Sequence, residues 1–372
     1  MPGRVVLTYH PLYDGRGFSP VQGSWLRYRM AWELFDELGL FGVVEHVCQR
    51  PAAPEDLLAV HSPAYVDFVA QRDAEGTGYF DRQDTPVWRG VFDRALAAVG
   101  GTLDAARMIG QGAAAHVFNP GGGLHHAHRD RAAGFCLFND LVLAVRRFQA
   151  DYGWERVAVV DVDGHHGDGT QELLYADPVL YLSLHQYDGR FFPGTGALDE
   201  VGWGAGYGYT VNVGLPRHAG DAGYLAAFHA VVPAALRAYR PQVMMANFGV
   251  DGHFADPLVR LGLTTAAYRA IAAELHTLAH ELCAGRLLLT GSGGYHPLHA
   301  ARCWATMLAV LTGDVPGTSG DAPMPAYLSR LIDPVLPPNT QAPTAASLAI
   351  SEQVQRTVLP LRLGAPSAPV CR

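Results

Sequence analysis

The chain has 372 residues, 49% of them hydrophobic, and a formal charge of −8, so it can bury a sizeable core and exerts no global attraction on nucleic acid or anionic lipid. All 27 basic residues are arginine, which excludes a lysine Schiff base, a P-loop lysine and a Ser-Lys dyad. Five cysteines, odd in number and without a C-x-x-C pair, point to reduced thiols in a cytoplasmic protein rather than a zinc ribbon.

In chain order, Arg4–Tyr9 reads as a first strand rather than a signal peptide, followed by helices at Ser24–Leu38, Val87–Ile109 and Asn139–Tyr152. Strands are predicted at Arg156–Asp161, Val179–His185 and Tyr209–Val213, then a helix at Ala222–Ala238. Strand and helix alternate to the end of the ordered pattern: Gln242–Phe248, Thr264–Cys283, Leu287–Gly291 and Ala300–Leu311. This is the rhythm of one α/β domain with a mostly parallel sheet, here residues 1–336. Residues 337–372 are Pro- and Ala-rich, with one helix over Ala345–Thr357 expected to pack on the surface or fray. No apolar stretch is long enough to span a bilayer, so no membrane partner is expected.

Polar and glycine-rich loops follow the strands, where open α/β sheets place their sites. The densest is Asp161-Val-Asp-Gly-His-His-Gly-Asp168. Asp163 and His165 stand at i and i+2 on an extended segment and so share a side, as two ligands of one metal require; the donor set suits zinc or ferrous iron. Asp251, after the Gln242–Phe248 strand, supplies a third ligand and leaves a position open for water and substrate, with His253 kept behind it. A metal neutralised by two carboxylates needs a separate base and an electrophilic partner to hydrolyse an amide. The Gly triplet of Pro120-Gly-Gly-Gly-Leu-His-His-Ala-His128 presents adjacent imidazoles, and Asp161 and Asp168 are free to fix their tautomers. His128 reads more simply as an exposed neighbour. Tyr295, in Gly291-Ser-Gly-Gly-Tyr-His296, is positioned to donate its phenol proton to a developing oxyanion.

With these blocks in order, together with Gly134-Phe-Cys-Leu-Phe-Asn-Asp140 and Phe191-Phe-Pro-Gly-Thr-Gly196, the chain resembles the histone deacetylase and acetylpolyamine amidohydrolase superfamily, in its bacterial, acetoin-utilisation branch. The resemblance implies a single-domain arginase/deacetylase-like fold, zinc on Asp163, His165 and Asp251, and Tyr295 polarising the amide carbonyl. It makes His126 the general base and acid with His125 its electrostatic partner, Asp161 backing His125 and Asp168 backing His126. It further implies a tunnel walled by Phe135 and Phe192 beside Gly134, a rim carboxylate at Asp84, and a structural potassium ion on Asp161, Ser183 and the carbonyls near Asp163, His165 and Leu184. Arg27 is assigned to an internal channel for the released acetate. Leu258 falls where polyamine-selective members carry a carboxylate, which favours acylated lysine in a peptide or protein over an acylated small amine. Gly164 departs from the family's bulky residue between the two ligands and is expected to loosen the metal loop or open space beside it.

The expected activity is therefore a zinc-dependent deacylase acting on acyl-lysine. An acetylpolyamine or other small-amide hydrolase is the alternative, and a non-catalytic acyl-lysine or small-molecule sensor is the alternative of another class. A two-metal ureohydrolase is disfavoured because its second set of bridging carboxylates is missing.

Overall fold

The computed structural model describes residues 4–15, 21, 23–81, 84–313, 331–333 and 345–362. Eight strands form one parallel sheet: β1 Val5–Tyr9, β2 Glu45–Cys48, β3 His116–Asn119, β4 Val157–Asp161, β5 Leu180–Gln186, β6 Thr210–Leu215, β7 Val243–Asn247 and β8 Leu287–Thr290, in the order β2-β1-β3-β8-β7-β4-β5-β6. The helices are α1 Leu26–Glu37, α2 Pro63–Glu75, α3 Val91–Gly110, α4 Asp140–Tyr152, α5 Asp168–Leu174, α6 Gly220–Tyr239, α7 Thr265–Cys283, α8 Pro297–Leu311 and α9 Ala345–Gln353.

The apolar strands serve two cores at once. In β4, Ala158 and Val160 pack with α1, α6, α7 and α8, while Val157 and Val159 pack with α2, α3 and α4 on the other face. Leu287 and Leu289 of β8 divide from Leu288 in the same way, because side chains alternate across a strand. This double burial is why the strands read as unbroken apolar runs.

Two short strands, β2 and β3, and the helices α2 and α5 lie outside the predicted elements, and α3 begins at Val91 rather than Val87. β3 is only four residues long, and its place between β1 and β8 rests on register with Val5 and Leu287 rather than on local pattern. The tail packs on α6, as one arm of the expectation has it: Ser347 of α9 and, beyond it, Val354, Val358 and Leu359 are buried, and Gln355 Nε2 donates to the Ala230 carbonyl of α6 at 2.8 Å. No helix among the described residues is long and apolar enough to cross a membrane.

Candidate metal centre and catalytic site

Four strands adjacent in the sheet, β3, β8, β7 and β4, end side by side, and the loops leaving their carboxyl ends carry the site. One cavity is lined by His125 and His126 after β3, Asp163 after β4, Ser292 and Tyr295 after β8, and Phe135.

Asp163, His165 and Asp251 offer ligand atoms within 4.8 Å of one another. All three are buried, with His165 Nδ1 at 2.7 Å from Asp251 Oδ2 and 3.3 Å from Asp163 Oδ1. Two carboxylates sharing a dry pocket repel unless a cation sits between them. Accordingly, burial and the neighbouring Asp163 push Asp251 up to about 6, while His165, despite burial, is lifted to about 10 by Asp251 and Asp163. The surroundings are shaped to the carboxylates: a Cβ at Gly249 would collide with Asp163, and one at Gly293 with both Asp163 and Asp251. Asp163 Oδ2 accepts from the Gly293 amide at 2.8 Å and from Ser292 Oγ at 3.0 Å, and Asp251 Oδ1 accepts from the Gly164 amide at 2.6 Å. A borderline-soft divalent ion fits this donor set.

Gly164 leaves no void beside it. The space its side chain would take is filled by Val259, with the Asp251 carboxylate beside it, so the small residue is matched by a bulky one from another loop.

The paired imidazoles lie beside the triad. His125 Nδ1 engages Asp161 Oδ2 at 2.8 Å, His126 Nδ1 engages Asp168 Oδ1 at 2.7 Å, and the two rings are 4.1 Å apart. Their protonation is split by position. Burial opposes charge on His125, yet Asp161 and Asp163 outweigh it and raise it to about 9. Burial and the positive His125 lower His126 to about 4, Asp168 only partly offsetting them. Asp168 itself is held well below the usual carboxylate range, its burial outweighed by hydrogen bonds from His126 and His128.

His128 is not an exposed neighbour: it is buried, with Nε2 at 3.1 Å from Asp168 Oδ2 and Nδ1 at 2.7 Å from Glu172 Oε2. Asn247 and Tyr181, which the sequence reading passed over, hold Asp161 by donating to its two oxygens at 2.9 and 3.0 Å. Asp256 accepts the Tyr295 amide at 2.8 Å and so ties the Tyr295 loop to the Asp251 loop. A polar residue at the end of an apolar strand, as Asn247 is, was the available signal. His253 does not stand behind the metal ligands; its Nε2 faces Asp333 at 3.1 Å in a separate cluster with His299.

Tyr295 has its phenol pKa raised well above 10 by burial and by Asp251 and Asp163, so it keeps its proton. Phe135 meets Tyr295 edge-on at 5.8 Å and Phe192, 40% exposed, meets His126 edge-on at 5.0 Å; Phe191 stacks on His165 at 5.2 Å. Gly134 has φ +53°, and a Cβ there would strike the His126 ring. Asp84 is partly exposed beside Thr85, whose hydroxyl accepts the Phe135 amide at 3.1 Å; burial and Asp81 raise Asp84 to about 6. Leu258 is partly exposed on the Asp251 loop and is not among the residues lining the cavity. Arg27 does line the cavity and donates to the Gly294 carbonyl at 2.6 Å.

Around the expected potassium position several groups already have partners within the protein. Ser183 Oγ is 2.9 Å from His185 Nδ1, Tyr224 donates to the Leu184 carbonyl at 3.5 Å, and Asp161 accepts from His125, Tyr181, Asn247 and the Asp163 amide.

The histone deacetylase domain family matches residues 24–311. The acetoin utilization protein AcuC of Bacillus subtilis is 37% identical over 322 residues, 84% of this chain and 83% of that protein. A histone deacetylase-like amidohydrolase of Pseudomonas aeruginosa is 35% identical, covering 75% of this chain and 74% of its own length. Among solved structures, the HDA15 HD domain superposes with a TM-score of 0.82 at 29% identity, covering 97% of this chain and 96% of that one.

Proposed function

The chain belongs to the histone deacetylase domain family, a family of amide-hydrolysing deacetylases, and on that premise we propose that it is a zinc-dependent deacylase of acylated lysine in peptides or proteins. The observation that carries the reading is the pairing of two His–Asp dyads with a buried Asp-His-Asp triad, of which His125, His126 and Asp163 line one cavity. Asp163, His165 and Asp251 would hold the ion, which when bound supplies a Lewis acid for the amide carbonyl and acidifies water.

The remaining chemistry falls to the protein. His126 is neutral at pH 7 with Nδ1 engaged by Asp168, so its Nε2 can take a proton from the attacking water and return it to the leaving amine. His125, carrying positive charge, stabilises negative charge that develops beside it. Tyr295 keeps a proton to share with the oxyanion. The balance is amide plus water to carboxylic acid plus free amine. The aromatic rings of Phe135 and Phe192 suit an aliphatic stem, and the apolar Leu258 offers no charge to a polyamine. A potassium ion near Asp161 and a cytoplasmic setting belong to the same proposal, as does Asp84 as a rim acceptor for a peptide amide.

The test is turnover of an acetyl-lysine peptide and of acetylspermidine in parallel by the zinc-loaded protein, with His126→Ala as control. Faster peptide turnover, lost in the variant, is expected, and Leu258→Glu should shift the ratio toward acetylspermidine. Cleavage of acetylspermidine alone would replace the lysine reading with the polyamine one.

A further inference from the structure

A further cluster of metal-ligating side chains, besides Asp163–His165–Asp251 and His253–His299–Asp333, lies at the amino end of β3. In His276-Thr-Leu-Ala-His280 the two histidines are i and i+4 on α7, so their rings lie on one face, tilted to each other with centroids 4.7 Å apart. That face meets His116, the first residue of β3, whose ring is 4.8 Å from His276 and 5.1 Å from His280. β3 thus carries this group at its amino end and leads to the His125–His126 loop at its carboxyl end.

We propose that His116, His276 and His280 form a three-imidazole site for a borderline-soft divalent cation such as Zn2+, Ni2+ or Co2+, distinct from the catalytic centre. One ligand atom from each of the three falls within 4.8 Å of the others. His116 Nε2 and His280 Nε2 are 3.2 Å apart, close to the edge of a tetrahedron with metal–nitrogen bonds of about 2.0–2.1 Å. His276 Nδ1 lies 3.3 Å from the Val310 carbonyl on α8, an acceptor that puts the proton on Nδ1 and frees the Nε2 lone pair, as outer partners of metal-bound histidines do. His116 is fully buried, so one of the three ligands is anchored in the core. Burial and the two neighbouring imidazoles also keep His116 uncharged, as a ligand must be. His280 lies in the last turn of α7, where the helix dipole favours positive charge. A donor set of nitrogen alone selects against calcium and magnesium. The bound ion would pin α7 to the sheet, and the arrangement owes nothing to the hydrolytic reading.

The experiment is a Zn2+ titration of the metal-stripped full chain against a chromophoric chelator, with bound metal counted by elemental analysis. The wild type should take up two equivalents, His276→Ala/His280→Ala one, and Asp163→Asn/Asp251→Asn one. Alanine is favourable in a helix and both α7 positions have some solvent exposure, so the first variant should fold, with unchanged circular dichroism and turnover. His116→Ala separates a three-ligand site from an adventitious surface chelate: it should lose the second equivalent in the presence of chelator. A wild type that binds one equivalent, or either histidine variant that keeps two, overturns the proposal.

Discussion

Replacing Gly249 by alanine should cost this protein its metal while leaving its fold. Gly249 has no positive φ, so its backbone accepts alanine, and the nearest obstacle is Asp163: the new Cβ would press on Asp163 Oδ2 and stand 2.6 Å from its Cγ and 2.7 Å from its Cβ. Carbon atoms rest at about 3.5–4.0 Å, so one side must retreat by about 1 Å. Metal–ligand distances tolerate only about 0.2 Å. The retreat also breaks a hydrogen bond to Asp163 from Ser292 or from the Gly293 amide, worth about 0.5–1.5 kcal/mol, within an overpacking cost of about 1–3 kcal/mol. Zn2+ affinity should fall about 10–100-fold, as when the support of a ligand is disturbed. The assay is chelator competition on the stripped protein, with Gly42→Ala as control because nothing lies within 4 Å of that position. Unchanged affinity in a folded Gly249→Ala would refute the idea that these glycines shape the ligand cradle.

Tyr295→Phe should lower turnover about 100-fold or more with metal content intact, as loss of an oxyanion donor does; near-normal turnover removes Tyr295 from that role. Gly134→Ala drives a methyl into the His126 ring and strains a backbone at φ +53°, so turnover should drop while Zn2+ affinity holds, and parallel loss of both would mean a general collapse of the site. In the metal-free protein His125 and His165 are raised to about 9 and 10, so their stabilising contribution is complete below about pH 6.5 and is lost as pH rises through 9 to 10. Thermal melts of stripped protein should show that decline, and zinc should suppress it; a flat stripped profile from pH 6.5 to 10 would contradict the assignment.

Asp163, Asp251 and Tyr295 were legible because each follows an apolar strand closely, and the imidazole pair because a Gly triplet precedes it; both are local patterns. Asp163 and His165 share a loop, and the alternation of an extended chain suffices to place them on one side. The resemblance to the deacetylases then named the partners. Local pattern could not show that β3, β8, β7 and β4 are neighbours, since β3 and β8 are more than 160 residues apart in the chain and β3 has only four residues. Nor could it show what fills the space beside Gly164, because Val259 arrives from another loop. The same holds for His253 and His128, each of whose partners is chosen by packing: Asp333 for one, Asp168 and Glu172 for the other. Composition and periodicity set the longer strands and helices and picked out the Asp-His-Asp motif, since those depend on neighbours along the chain. Which carboxylate backs which imidazole, and where the charge rests between His125 and His126, depends on distances across the sheet, and the tertiary structure alone sets them.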